Sequence, residues 1–138
     1  MKKIVLILSI VGVFFTPFAQ AQTYKFITTG FSVMERTSQG EWGNWSDLQE
    51  TKLVILLDTT KNRLVVYSQE VQWYDILAYE KEEETNENIV YPFSCKDEEG
   101  YAVTISIITR KNQANRKQLY ITRNNYILVY NIENYPEK

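Results

Sequence analysis

A carboxylate set inside an apolar run is a residue type that does chemistry, and Asp75 stands between Tyr74 and Ile76. Facing inward, such a group loses hydration and holds its proton more tightly, as a general acid must. Facing outward, it pairs with an arginine on the next strand. Glycosidase-like catalysis would need a second acid across a cleft from it. Two other acidic groups compete for attention. Asp97-Glu98-Glu99 has the oxygen ligands of a hard-cation site but lacks the alternating spacing of a calcium loop, so it reads as a turn. Glu80-Lys81-Glu82-Glu83-Glu84 reads as a solvated loop, because like charges repel and stay wet.

Nucleophilic chemistry has little to work with. Cys95 is the only cysteine, so no intramolecular disulfide is expected, and it lies in an apolar stretch where a buried thiol is the ordinary outcome. The chain has no histidine. That excludes Ser-His-Asp and Cys-His catalysis and His-ligated zinc, and it leaves Cys95 without a base to raise its thiolate fraction. No phosphate-binding glycine loop, nucleotide fingerprint or metal motif occurs, so neither a cofactor nor a metal is expected.

The remaining candidates are aromatic. Ten tyrosines and three tryptophans favour strands and fill β cores. Flat amphipathic rings also stack on sugars, peptides and apolar ligands. On that basis the candidate ligand-binding residues are Trp42, Trp45, Trp73, Tyr79 and Tyr101. Trp42 and Trp45 flank Gly43-Asn44 in a stretch without clean periodicity. They serve either as a recognition platform or as a lid that plugs one end of the barrel, since the two-sided apolar strands need covering. Trp73, Tyr79, Tyr101 and Leu128 are expected to point inward and fill much of the interior.

The chain begins Met1-Lys2-Lys3, continues with an apolar run over residues 4–15, and reaches Pro17 and Ala19-Gln20-Ala21. Basic, apolar and small-residue segments in that order read as a secretory signal peptide over residues 1–21, with Gln22 as the new N-terminus. A run of about a dozen residues is short of the roughly 20 that span a bilayer, so no permanent anchor is expected. Export to the periplasm or beyond follows. Lys2 and Lys3 leave with the signal, so 13 of the 15 basic residues remain against 17 acidic ones, a net charge of −4. No basic stripe remains, which disfavours nucleic acid as a partner.

Residues 22–138 are the right size for one domain, and no linker or repeat divides them. Short β-branched and aromatic runs recur between turn signals, at about 24–35, 52–57, 63–68, 71–79, 89–95, 101–109, 118–122 and 126–132. Gly30 suggests a bulge in the first of them, and Pro92 marks its strand as an edge or bulged one. Ser46 is read as the cap of one helical turn, residues 80–88 as unordered, Asn124-Asn125 as a hairpin turn and 134–138 as a frayed tail. Strands near 52–57 and 126–130 are apolar on both faces, so a second cover is required. The fold class is all-β: about eight antiparallel strands in a meander closed as a small barrel, or alternatively a two-layer sandwich.

In layout the chain resembles small exported bacterial all-β proteins of unknown function. The likeness lies in the Lys2-Lys3 start, the Trp42-x-x-Trp45 segment and the Phe-Ser-Cys-Lys-Asp-Glu-Glu-Gly turn at 93–100. In strand count it is also similar to lipocalin and fatty-acid-binding barrels, although Thr29-Gly30-Phe31 stands where lipocalins carry Gly-x-Trp. The resemblance transfers no functional residue. The expected function is a non-enzymatic binding module for a small apolar or aromatic molecule or a sugar. The alternatives are a protein-interaction or inhibitor module, and an enzyme that uses carboxylates alone.

Overall fold

The computed structural model describes residues 22–136, and the expected export signal at residues 1–21 lies outside them. Eleven strands form one antiparallel sheet: β1 (Thr23–Arg36), β2 (Trp42–Trp45), β3 (Gln49–Glu50), β4 (Val54–Asp58), β5 (Arg63–Tyr67), β6 (Gln72–Tyr79), β7 (Glu83–Glu84), β8 (Asn88–Lys96), β9 (Ala102–Arg110), β10 (Arg116–Thr122) and β11 (Tyr126–Asn134). Eight of them close into a barrel, because β11 returns to pair with β1. Closure leaves no barrel strand as the outermost strand of the sheet, and the sandwich alternative is not adopted.

β1 is the seam. Its 14 residues pair with β11 along one edge, while the other edge takes β4 at Thr23–Ile27 and then β3 and β2 further on. The register slips between Thr28 and Gly30, a bulge that re-aims the second half of the strand. The site is tight, since a Cβ on Gly30 would sit 3.1 Å from the Gln49 carbonyl oxygen and 3.2 Å from Leu48.

The interior is filled. Period-2 alternation turns Ile55, Leu64, Val66, Tyr74, Ile105, Leu119 and Ile121 inward, and each is almost wholly removed from water. They join Phe26, Phe93, Val103, Tyr130 and Ile132 in one contiguous core, with Phe31, Leu53 and Leu128 packed against it. Cys95 belongs to this core. Burial pushes its thiol pKa up to about 12, with the Asp75 carboxylate adding a little.

Several sequence expectations are corrected. Trp73 and Tyr101 do not point inward; they are 41% and 68% exposed. Tyr74 and Ile76 take the inward places on β6, because its alternation runs through the even-numbered residues. A register shift between Ile76 and Ala78 then sets Tyr79 opposite Phe93, where its ring stacks edge-on at 5.5 Å, 46% exposed at the rim. Residues 80–88 are ordered: β7 pairs with β8, and Lys111 bonds Glu84 at 2.6 Å and the Thr85 carbonyl. Pro92 lies in a strand flanked on both sides. The Glu80 amide donates to its carbonyl, so its missing N–H faces the gap where β8 changes partner from β6 to β7. Ser46 caps no helix; its hydroxyl accepts from the Val33 amide and lies beside Ser32. Asn124-Asn125 does turn a hairpin, closed by the Arg123 amide on the Tyr126 carbonyl, but the left-handed residues are Asn62, Ala114 and Asn115. The expected tail is held as far as Tyr135, whose amide donates to the Lys25 carbonyl.

Candidate functional site

The outer wall over β4, β5 and β6 leaves a group of apolar side chains uncovered. Residues of odd number on β5 and β6 face outward, and register sets Leu56, Val65 and Trp73 in one row across the three strands. Tyr67 sits opposite Val54 at the end of the next row. Tyr67, Val71 and Trp73 are all exposed and border an open groove of about 300 Å³. Its charged end is built by Asp58, Lys61 and Arg63. Asp58 accepts the Thr60 and Lys61 amides, which fixes the β4–β5 turn. Arg63 donates from Nε to the Asp75 carboxylate at 3.2 Å and lays its guanidinium 5.1 Å from the centre of the Trp73 ring.

Asp75 therefore points outward and pairs with an arginine on the neighbouring strand. The arrangement is that of a half-exposed ion pair.

A second groove, about 270 Å³, opens on the other side of Trp73, between β6 and the β8–β9 turn. Its floor is Arg123. The guanidinium donates to the Asp97 carboxylate at 2.7 Å and to the Tyr74 hydroxyl at 3.4 Å, while its Nε is buried without an acceptor among the described residues. Burial alone would lower the Arg123 pKa; the bonds to Asp97 and Tyr74 outweigh it and raise the value. The other oxygen of Asp97 accepts the Glu99 and Tyr101 amides. The Arg123 hydrogen bond holds the Asp97 carboxyl below the usual carboxylate range against its desolvation, with those two amides helping. Tyr74 goes the other way, since burial pushes its hydroxyl up more than Arg123 pulls it down. Asp97 is thus committed to its own turn and to Arg123, and among the described residues no group of three or more Cys, Asp or Glu could hold a metal ion.

The five aromatic candidates are not brought together. Trp42 and Trp45 sit on β2, where Trp42 lies under the Arg36 guanidinium at 4.1 Å. Trp45 reaches across β11 to meet Tyr120 edge-on at 6.2 Å. Val129, set between Ser32 and Tyr120 in register, is buried on that outer face. Trp45 and Tyr120 thereby meet beside the row that holds Val129. Tyr79 closes the rim and donates to Asn62 Oδ1 at 2.8 Å, and Tyr101 stands out from the β8–β9 turn. Only Trp73 borders both grooves. Tyr67, Arg63 and Arg123 escaped the sequence reading; for Tyr67 and Arg63 the signal was the outward alternation Arg63, Val65, Tyr67, while Arg123 had none.

A further groove of about 440 Å³ between the β9–β10 loop and the end of β11 is polar and self-satisfied, with Arg116 bonded to Gln113 and Asn131. No family model, curated protein or solved structure matches the chain.

Proposed function

We propose that this protein is an exported, non-catalytic binding module that meets a partner protein on the outside of its barrel wall. One observation carries the reading: side chains fill the barrel centre, while Tyr67, Val71 and Trp73 stand exposed together on one face. A cup for an apolar ligand needs the reverse arrangement. Exposed aromatic residues beside an anchored arginine are the composition of protein-recognition surfaces, where Trp, Tyr and Arg contribute most per residue. The ion pair of Asp75 with Arg63 removes the feature that motivated a carboxylate enzyme.

A sugar platform is the second reading, favoured by the exposed Trp73 indole. Arg63 lies over one face of that ring, which leaves a pyranose only the opposite face. Tryptophan fluorescence separates the two. Emission unmoved by a panel of monosaccharides and fatty acids, together with loss of a co-purifying exported protein in Tyr67→Ala/Trp73→Ala, supports protein recognition. Saturable quenching by a sugar that disappears in Trp73→Ala overturns it.

A further inference from the structure

The groove beside Trp73 is an unfinished strand edge. In an antiparallel ladder the N–H and C=O of one residue point to the same edge, and successive residues alternate. The Ile76 amide donates to the Asn62 carbonyl on the β5 side at 2.8 Å. Gln72 and Tyr74 therefore address β5, and Trp73 and Asp75 address the opposite edge. On that edge the ladder with β8 runs from Tyr79↔Phe93 to Asp75↔Lys96 and stops. It stops because the chain turns away: the Asp97 amide donates to the Tyr101 carbonyl and the Gly100 amide to the Asp97 carbonyl. The backbone of Trp73 is left with no strand opposite it.

The charge at this edge is as definite as the backbone. Arg123 and Asp97 neutralise each other beneath the groove. Glu98 and Glu99 line it, and neither belongs to any ion pair among the described residues, which are Arg63–Asp75, Lys111–Glu84 and Arg123–Asp97. An indole, a backbone donor and acceptor with no partner among the described residues, and two carboxylates outside those ion pairs therefore converge. At about 270 Å³ the space lies just below the range of roughly 300–1,000 Å³ typical of small-molecule pockets, and its open shape suits a short length of extended chain.

We infer that β6 accepts an extended, basic segment of the partner protein as an added strand. The segment's backbone pairs with Trp73, and its Lys or Arg side chains reach Glu98 and Glu99. Main-chain bonds would supply register, and the carboxylates would select the sign of charge. The inference rests on the reading of the outer wall as a protein-recognition face, and it names where and how the partner is held.

The test uses the purified protein and two acetylated, amidated pentapeptides, Val-Lys-Val-Lys-Val and Val-Glu-Val-Glu-Val, followed by 15N-resolved NMR. The expected result is a saturable shift of the Trp73 backbone amide with the lysine peptide and none with the glutamate peptide. Glu98→Gln/Glu99→Gln should weaken the lysine peptide by about three- to tenfold, the yield of two rim ion pairs. Trp73→Pro removes the donor from the free edge while sparing the ladder to β5, and should abolish the amide-dependent binding. Should Trp73→Pro not fold, the Glu98→Gln/Glu99→Gln protein carries the test alone. Equal binding of both peptides, an unmoved Trp73 amide, or undiminished affinity in the double glutamine variant overturns the inference. Concentration-dependent shifts of the Trp73 amide without peptide also overturn it, in favour of a second copy. If both peptides leave Trp73 untouched while Tyr67→Ala still loses a protein partner, the added strand fails and the outer-wall reading stands.

Discussion

At the scale of single residues, the ion pair of Asp97 with Arg123 does the most for its surroundings. It ties the β8–β9 turn to the β10–β11 hairpin and to Tyr74 of the core, with the two side chains 10% and 22% exposed. The Asp97 carboxyl is more acidic in the folded protein than in the unfolded chain. As pH falls, the unfolded chain takes up that proton first. The stabilisation is complete above the ordinary aspartate pKa of about 3.9 and is lost as pH drops through the lowered folded value. Asp97→Asn should therefore lower the midpoint of thermal unfolding at pH 7 and flatten its acid dependence below about pH 4, as differential scanning calorimetry would show. Cys95 gives an independent check on burial. With its thiol pushed up to about 12, it should react with a thiol reagent at pH 8 only as fast as the protein unfolds globally. Reaction faster than unfolding would show that the core opens locally at β8.

At the scale of elements, the inward rows carry the stability and the outward rows do not. Leu119 on β10 is completely buried, and Leu119→Ala should cost about 2–5 kcal/mol by urea denaturation. Leu77, at the bulge of β6 and 64% exposed, should cost no more than about 0.5 kcal/mol when replaced by alanine. The bulge of β1 is less forgiving. Gly30→Val puts a branched side chain where a Cβ already meets the Gln49 carbonyl at 3.1 Å, and should destabilise by about 1–3 kcal/mol while displacing β3. These contrasts also mark how far the sequence could be read. Tyr101–Thr109 alternates without interruption, and Val103, Ile105 and Ile107 do face the core. On β6 every residue from Trp73 to Leu77 except Asp75 is apolar or aromatic, so composition could not tell the two faces apart, and a bulge changed the phase before Tyr79. Order in residues 80–88 was invisible because, beyond the local β7–β8 pairing, it comes from contacts with Lys111 and Pro92, outside the segment. The groove at Trp73 was hidden for the same reason. It depends on where the β8 ladder stops, a property of register that no local pattern records.

At the scale of the molecule, the fold is a meander whose longest-range pairing among the described barrel strands is the seam between β1 and β11. β1 also pairs with β4 across the detour through β2 and β3, which covers its far end, and short connections account for the other barrel pairings. The seam brings the two described ends of the chain side by side, as the Tyr135 amide on the Lys25 carbonyl shows. It also sets an order of events. β1 must wait for β11, since Phe26 faces Asn134 and Glu35 faces Tyr126. Until then β1 and β10 each keep a bare flank, and the cylinder stays an open curl. A chain truncated after Arg123 should consequently be digested by protease under conditions that spare the intact protein. A polypeptide built this way stays unsealed until residues 126–134 swing back onto β1.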